Sequence, residues 1–259
     1  MAITITGIVA GMVAVFLRTP INAYFDTSRR VELSDIADTA ARRVARDVQS
    51  ALPNSIRVDA SGHFIEFVPV KAAGRYCIEA GTVATWASTP CADPLDFGTA
   101  GDTFDVFGPP VKIDAGDSLV IYNLGIAGSD VYDGSSRRAG VANAAAQSNI
   151  GFTGAAFPLE SPSKRFFVVA TPVSYACDFA TGRLLRYSGY AIPATQPTTV
   201  AALDALATPA VLATSVSACT ITYSAGAMAR DGLVVIALGV TQSGETVTLQ
   251  HQVSVSNTP

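Results

Sequence analysis

Only 15% of the 259 residues are charged, two are histidine and three are lysine. That scarcity removes most catalytic repertoires at once. His63 and His251 each sit in a strand-like stretch, where a single histidine reads as structural. No Gly-x-Ser-x-Gly elbow, Gly-x-Gly-x-x-Gly turn or His-Glu-x-x-His pair occurs. No set of nucleophile, base and orienting group can be assembled, so the expectation is no enzyme, no catalytic residue and no cofactor. Basic runs are missing too. Residues 58–259 hold ten Lys and Arg against sixteen acids, which argues against a nucleic-acid partner.

Cysteine is sparse and widely spaced: Cys77, Cys91, Cys177 and Cys219. No pair forms Cys-x-x-Cys, which disfavours zinc and thioredoxin chemistry. An even count fits two disulfides in an oxidising compartment, the alternative being four buried thiols. The most compact of the three connectivities joins Cys77 to Cys91 and Cys177 to Cys219. A metal is not expected. Asp130-Val-Tyr-Asp133-Gly134 reads as a fragment of a calcium loop, but a further ligand and a terminal Glu are absent. Asp93, Asp96, Asp102, Asp105, Asp114 and Asp117 read as turn formers.

What the chain does have is an uncharged start. Met1 to Leu17 carry no charge, and Arg18, Thr19 and Pro20 follow. Seventeen residues in a helix span about 26 Å, slightly short of the ~30 Å hydrocarbon core of a bilayer. A membrane half-helix fits this run better than a signal peptide or a buried core helix. Gly7 and Gly11 form a small-xxx-small step that permits close helix packing, and Pro20 is expected to kink or loosen the helix. Arg18, Arg29 and Arg30 would hold the following side in the cytoplasm, whereas the cysteines place it outside. Siding with the cysteines gives a single-pass inner-membrane protein with a periplasmic body.

From Val31 to Leu52 the period is helical. Leu33, Ile36, Ala37, Ala40, Val44, Val48 and Ala51 form one apolar stripe, and Pro53 ends the pattern. Asp38 with Arg42 and Arg43 with Asp47 are four-residue ion pairs on the polar side. The plain reading of that side is a solvated face. The sharper one has some of its charges meeting neighbouring subunits.

Beyond Pro53 the signal is β. Strands are expected at 63–70, 75–78, 83–87, 103–107, 119–122, 165–171, 172–178, 183–187, 217–223, 233–240 and 246–255, joined by short antiparallel turns. Two stretches, 125–161 and 191–199, read as loops, and 199–207 as a short helix. The domain plan is a hydrophobic polymerisation half-helix at 1–28, an amphipathic half-helix at 29–53 and a β-rich body at 54–259. That is an α+β, type IV pilin-like class.

The residues also carry a resemblance. Thr6 to Pro20, Tyr24-Phe-Asp-Thr27, Arg29-Arg30, Ala51 to Ser55, Glu66 to Pro69, Gly74 to Tyr76 and Leu184 to Tyr187 are similar to the minor pilins of mannose-sensitive haemagglutinin pili, the MshO type. So are Cys219 with Tyr223, Asp231 to Val234, and Gly244 through Val253. The resemblance implies pilus assembly or priming, surface adhesion, and partnership with major and minor pilins, the inner-membrane assembly machinery and the membrane. It implies an extracellular place in the assembled pilus. The family's basic leader, Gly-Phe cleavage motif and early Glu do not precede Met1, and the expectation is that they belong to the native product. Alternatives are a type II secretion pseudopilin and, from another class, a membrane-tethered periplasmic enzyme or sugar-binding protein.

Overall fold

The computed structural model describes residues 2–81, 83, 90–226 and 231–259; for 2, 3, 8, 10, 13–23 and 25 it describes the backbone alone. Helix α1, Ala2–Gln49, passes through Pro20 without a break in its helical assignment. It stops three residues before the expected Leu52. There Ser50 and Ala51 fold back on Asp47 and Val48, and the Leu52 amide donates to the Val68 carbonyl at 2.8 Å. Along its second half Leu33, Ala37, Ala40, Ala41, Val44, Ala45 and Val48 are buried. Four of these are alanine, so the helix axis lies close to the sheet that it covers. The two expected ion pairs form, Arg42 to Asp38 at 2.7 Å and Arg43 to Asp47 at 3.3 Å.

Fourteen strands follow among the described residues, all paired antiparallel. In chain order they are β1 (Arg57–Val58), β2 (Phe64–Phe67), β3 (Val70–Tyr76), β4 (Thr103–Phe107), β5 (Ser118–Ile121), β6 (Arg137–Gly140) and β7 (Asn149–Thr153). Then come β8 (Arg165–Val169), β9 (Val173–Asp178), β10 (Arg183–Ser188), helix α2 (Val200–Asp204), β11 (Ala210–Ala213), β12 (Val216–Ser224), β13 (Gly232–Gln242) and β14 (Glu245–Val255). One sheet has the order β1-β2-β9-β10-β11, a second β12-β13-β14, and β3-β4-β7-β6-β5-β8 close into a barrel.

The barrel is filled rather than hollow. Tyr76, Phe104, Phe152, Phe166, Leu119 and Ile121 pack inside it. Gly74 on β3 makes this possible, because a Cβ there would lie 2.7 Å from the Phe166 ring. The second core lies between α1 and the two open sheets, where Leu33, Val44 and Val48 meet Phe67, Tyr175, Ile236 and Val253. The β13–β14 turn has Ser243 at φ 52° and Gly244 at φ 85°. Paired left-handed residues of this kind match the twist of a two-residue hairpin.

Three expectations are corrected. The chain is mostly β and is organised around a closed barrel, so the pilin-like α+β class does not hold. The stretch 125–161, read as a loop, contains β6 and β7, which complete that barrel. Among the described residues no helix is long and apolar enough to cross a membrane, which overturns the single-pass inner-membrane placement. Of the apolar run, the side chains described are those of 4–7, 9, 11 and 12, among them Thr4, Thr6, Gly7 and Gly11. Of the remaining strand expectations, 84–87 lie outside the described residues.

Candidate functional site

Two features of the molecule are built for contact: the outer reach of α1 and a cleft at the barrel rim. On α1, Ile5, Val9 and Met12 are 61%, 52% and 63% exposed, and Tyr24 and Val31 are exposed as well. Gly7 and Gly11 have nothing within 4 Å of a Cβ built on them. Pro20, the third residue expected to serve helix packing, lies on the same reach with its backbone helical. The body takes hold of the helix from Arg30 onward, whose Nε meets Glu245 at the β13–β14 turn at 2.9 Å.

A second attachment is stronger because it is less exposed. Asp47 Oδ2 accepts from the Tyr175 hydroxyl at 2.7 Å and from Arg186 Nε at 2.8 Å. Burial, followed by the neighbouring Asp47 carboxylate, pushes the Tyr175 phenol well above its ordinary value, so it stays a donor. This clamp joins the last turns of α1 to β9 and β10. Together with the small-residue stripe it fixes the direction in which the outer reach projects.

Where α1 enters the body, three asparagines tie separate segments together. Asn123, fully buried, donates to the Pro53 carbonyl at 2.7 Å and accepts from the Val131 amide and the Ser136 hydroxyl. Asn54 donates to the Asn123 carbonyl, and Asn257 donates to the Tyr223 hydroxyl at 2.8 Å. Nearby, Arg57 lies 3.6 Å over the Tyr132 ring and reaches the buried Glu66 at 2.7 Å. Burial raises the Glu66 carboxyl above its ordinary value, against the pull of Arg57.

The cleft, about 380 Å³ in volume, opens beside this knot. Tyr122, Leu124 and Ile126 after β5, Pro162 and Ser163 before β8, and Asn54 and Thr258 line it. No lining side chain is charged. Asn54 at φ 59° and Tyr122 at φ 52° hold left-handed backbone there, a conformation that is costly for an aromatic residue.

The remaining expectations fall elsewhere. Both disulfides are present as expected: Cys77–Cys91 between the end of β3 and the loop before β4, and Cys177–Cys219 between β9 and β12. Two disulfides point to a non-cytoplasmic, oxidising compartment. His63 packs edge-on against Phe179 at 4.8 Å, and His251 sits on β14 opposite Ile236. The acids of the first loops cap backbone amides: Asp105 accepts from Ala92 and Asp93, Asp96 from Gly98, and Asp117 from Asp114. Asp130 and Asp133 likewise accept from Tyr132 and Ser135. Among the described residues no cluster of His, Cys, Asp or Glu is disposed to hold a metal. The cleft and the asparagine knot were not legible in the sequence, because their residues come from segments far apart in the chain. No protein-family model, curated protein or solved structure matches the chain, so its role has to be inferred from its own residues.

Proposed function

We propose that this protein is a non-catalytic assembly subunit, acting in the manner of a minor pilin in the building or priming of a fibre. The observation that carries the reading is the exposure of Ile5, Val9 and Met12 on a helix whose second half is clamped to the body. Apolar side chains in succession on an exposed element mark an interaction surface. The small Gly7 and Gly11 on the same reach let a neighbouring helix approach closely. The partners are other pilin subunits and the pilus assembly machinery, and the β-rich body supplies contacts to neighbours or to a surface. A type II secretion pseudopilin would use the same parts.

The test replaces Gly7 and Gly11 by leucine and measures fibre incorporation in cells beside the thermal melting of the purified chain. The expected result is lost incorporation with an unchanged melt. Normal incorporation would remove the role given to the outer reach.

A second reading, binding of an uncharged small molecule such as a sugar, has the rim cleft in its favour. Its size and partly apolar lining, without a charged side chain, suit such a ligand. Titration calorimetry with neutral mono- and disaccharides, on the native chain and on Ile126→Trp, decides it. Heat that disappears in the variant supports the reading, and no heat from any sugar ends it.

A further inference from the structure

The side of α1 facing away from the body carries a charge order that the assembly reading does not use. An α-helix advances about 100° per residue. On that basis Glu32, Asp35, Thr39, Arg43 and Arg46 fall along one ridge, opposite the buried Ala37, Ala41 and Val44. All five ridge residues are exposed. The acids come first and the bases last. Glu32, Asp35 and Arg46 have no ion pair among the described residues, while Arg43 leans on Asp47 at 3.3 Å.

The spacing is symmetric about Thr39. Glu32 and Arg46 lie seven residues to either side of it, and Asp35 and Arg43 four. We propose that this ridge docks a second copy of the chain antiparallel, about a two-fold axis at Thr39. Glu32 of each copy then faces Arg46 of the other, and Asp35 faces Arg43. Four ion pairs form in one isologous contact, and no charge meets its like. A two-fold contact is closed, because each copy offers the same patch that it accepts.

Charge alone would also allow parallel copies offset by eleven residues, about 16 Å. That arrangement satisfies only two of the four pairs per contact and leaves Thr39 opposite a different residue. Antiparallel docking is therefore the arrangement that uses the whole ridge. The proposal concerns the body-bound half of α1 and stands apart from the role of Gly7 and Gly11.

The test uses the full chain carrying Thr39→Cys. All four native cysteines are in disulfides, so the new thiol is the single free one. On mild oxidation it should give a dimer linked from position 39 to position 39, formed less readily at high salt. Adding Glu32→Arg, or Arg46→Glu, should each slow that linkage about tenfold, since two attractive pairs become repulsive. Mixing the two variants should restore it as a heterodimer. These substitutions lie on an exposed face, and an unchanged melting curve verifies that each variant folds. Absence of the 39–39 link, or linkage indifferent to both charge reversals, would overturn the proposal. In a chain carrying both Thr39→Cys and Ser50→Cys, a link from position 39 of one copy to position 50 of another, with none at 39–39, would establish the staggered parallel contact in its place.

Discussion

The phenol of Tyr175, on β9, donates to Asp47 Oδ2, on α1, at 2.7 Å, and so links the helix to the sheet that carries the Cys177–Cys219 bridge. Asp47 also receives Arg186 and Arg43. A carboxylate serving donors from β9, β10 and α1 itself sets the docking angle of α1, and with it the direction of the outer reach.

Asp47→Ala should therefore lower stability by about 1–3 kcal/mol, because the Tyr175 hydroxyl and the Arg186 guanidinium lose their acceptor in a partly buried place. Tyr175→Phe removes one donor only and should cost about 1 kcal/mol. Urea unfolding midpoints measure both. Equal losses from the two variants would show that the carboxylate serves Tyr175 alone.

Asn123→Ala should be among the most damaging polar substitutions, at about 2–4 kcal/mol. It leaves the Pro53 carbonyl, the Val131 amide and the Ser136 hydroxyl without their partner in the interior. Thermal denaturation is the measurement, and a change within error would mean that water replaces the side chain.

The buried Glu66 gives a pH signature. Its folded carboxyl titrates above the ordinary value of 4.5, because burial outweighs the pull of Arg57. The folded state then binds this proton more tightly than the unfolded one. Stability from Glu66 is thus gained as pH falls through its folded value and levels off near 4.5. The stability of the native chain relative to Glu66→Gln should rise over that window. Asp114, held down to about 2 by Lys112 and Lys71, works in the opposite sense: its contribution is present above 3.8 and is lost toward pH 2. A Glu66→Gln curve parallel to the native one from pH 7 to 4.5 would refute the assignment.

The two disulfides should differ in weight. The chain-entropy argument gives about 4 kcal/mol for Cys177–Cys219 and about 3 kcal/mol for Cys77–Cys91. The first closes a separation of 42 residues and the second 14. Paired Cys→Ala replacements, each compared by urea midpoint, check the order.

Gly74→Ala should destabilise by about 1–3 kcal/mol through overpacking against Phe166 inside the barrel. Adding Phe166→Leu should recover part of the loss, and failure to recover any would place the strain outside that contact.

Much of the fold is legible where the information is local. The three-four spacing of Leu33, Ala37, Ala40, Val44 and Val48 names the buried stripe of α1, because helical geometry alone puts those residues on one side. Alternation and turn residues locate β4, β9, β10 and β12 to β14 to within a residue or two at each end. The cysteine pairs follow from compactness. These features depend on neighbours within a few turns of chain, or on the arithmetic of four thiols.

Where distant segments meet is a different matter. Strands β6 and β7 escape a reading of the chain because Arg137–Gly140 and Asn149–Thr153 are short and lack a clear alternating pattern; they are strands because β5 and β4 offer them open edges. The pilin-like class failed for the same reason, since a barrel is a matter of closure and no single strand announces it. The end of α1 at Gln49 is set by Val68, which takes the Leu52 amide, and not by Pro53. Residue order alone settles the elements whose pattern repeats within one turn or one strand. Pairing across the chain decides the rest, because a backbone hydrogen bond is indifferent to how many residues separate its partners.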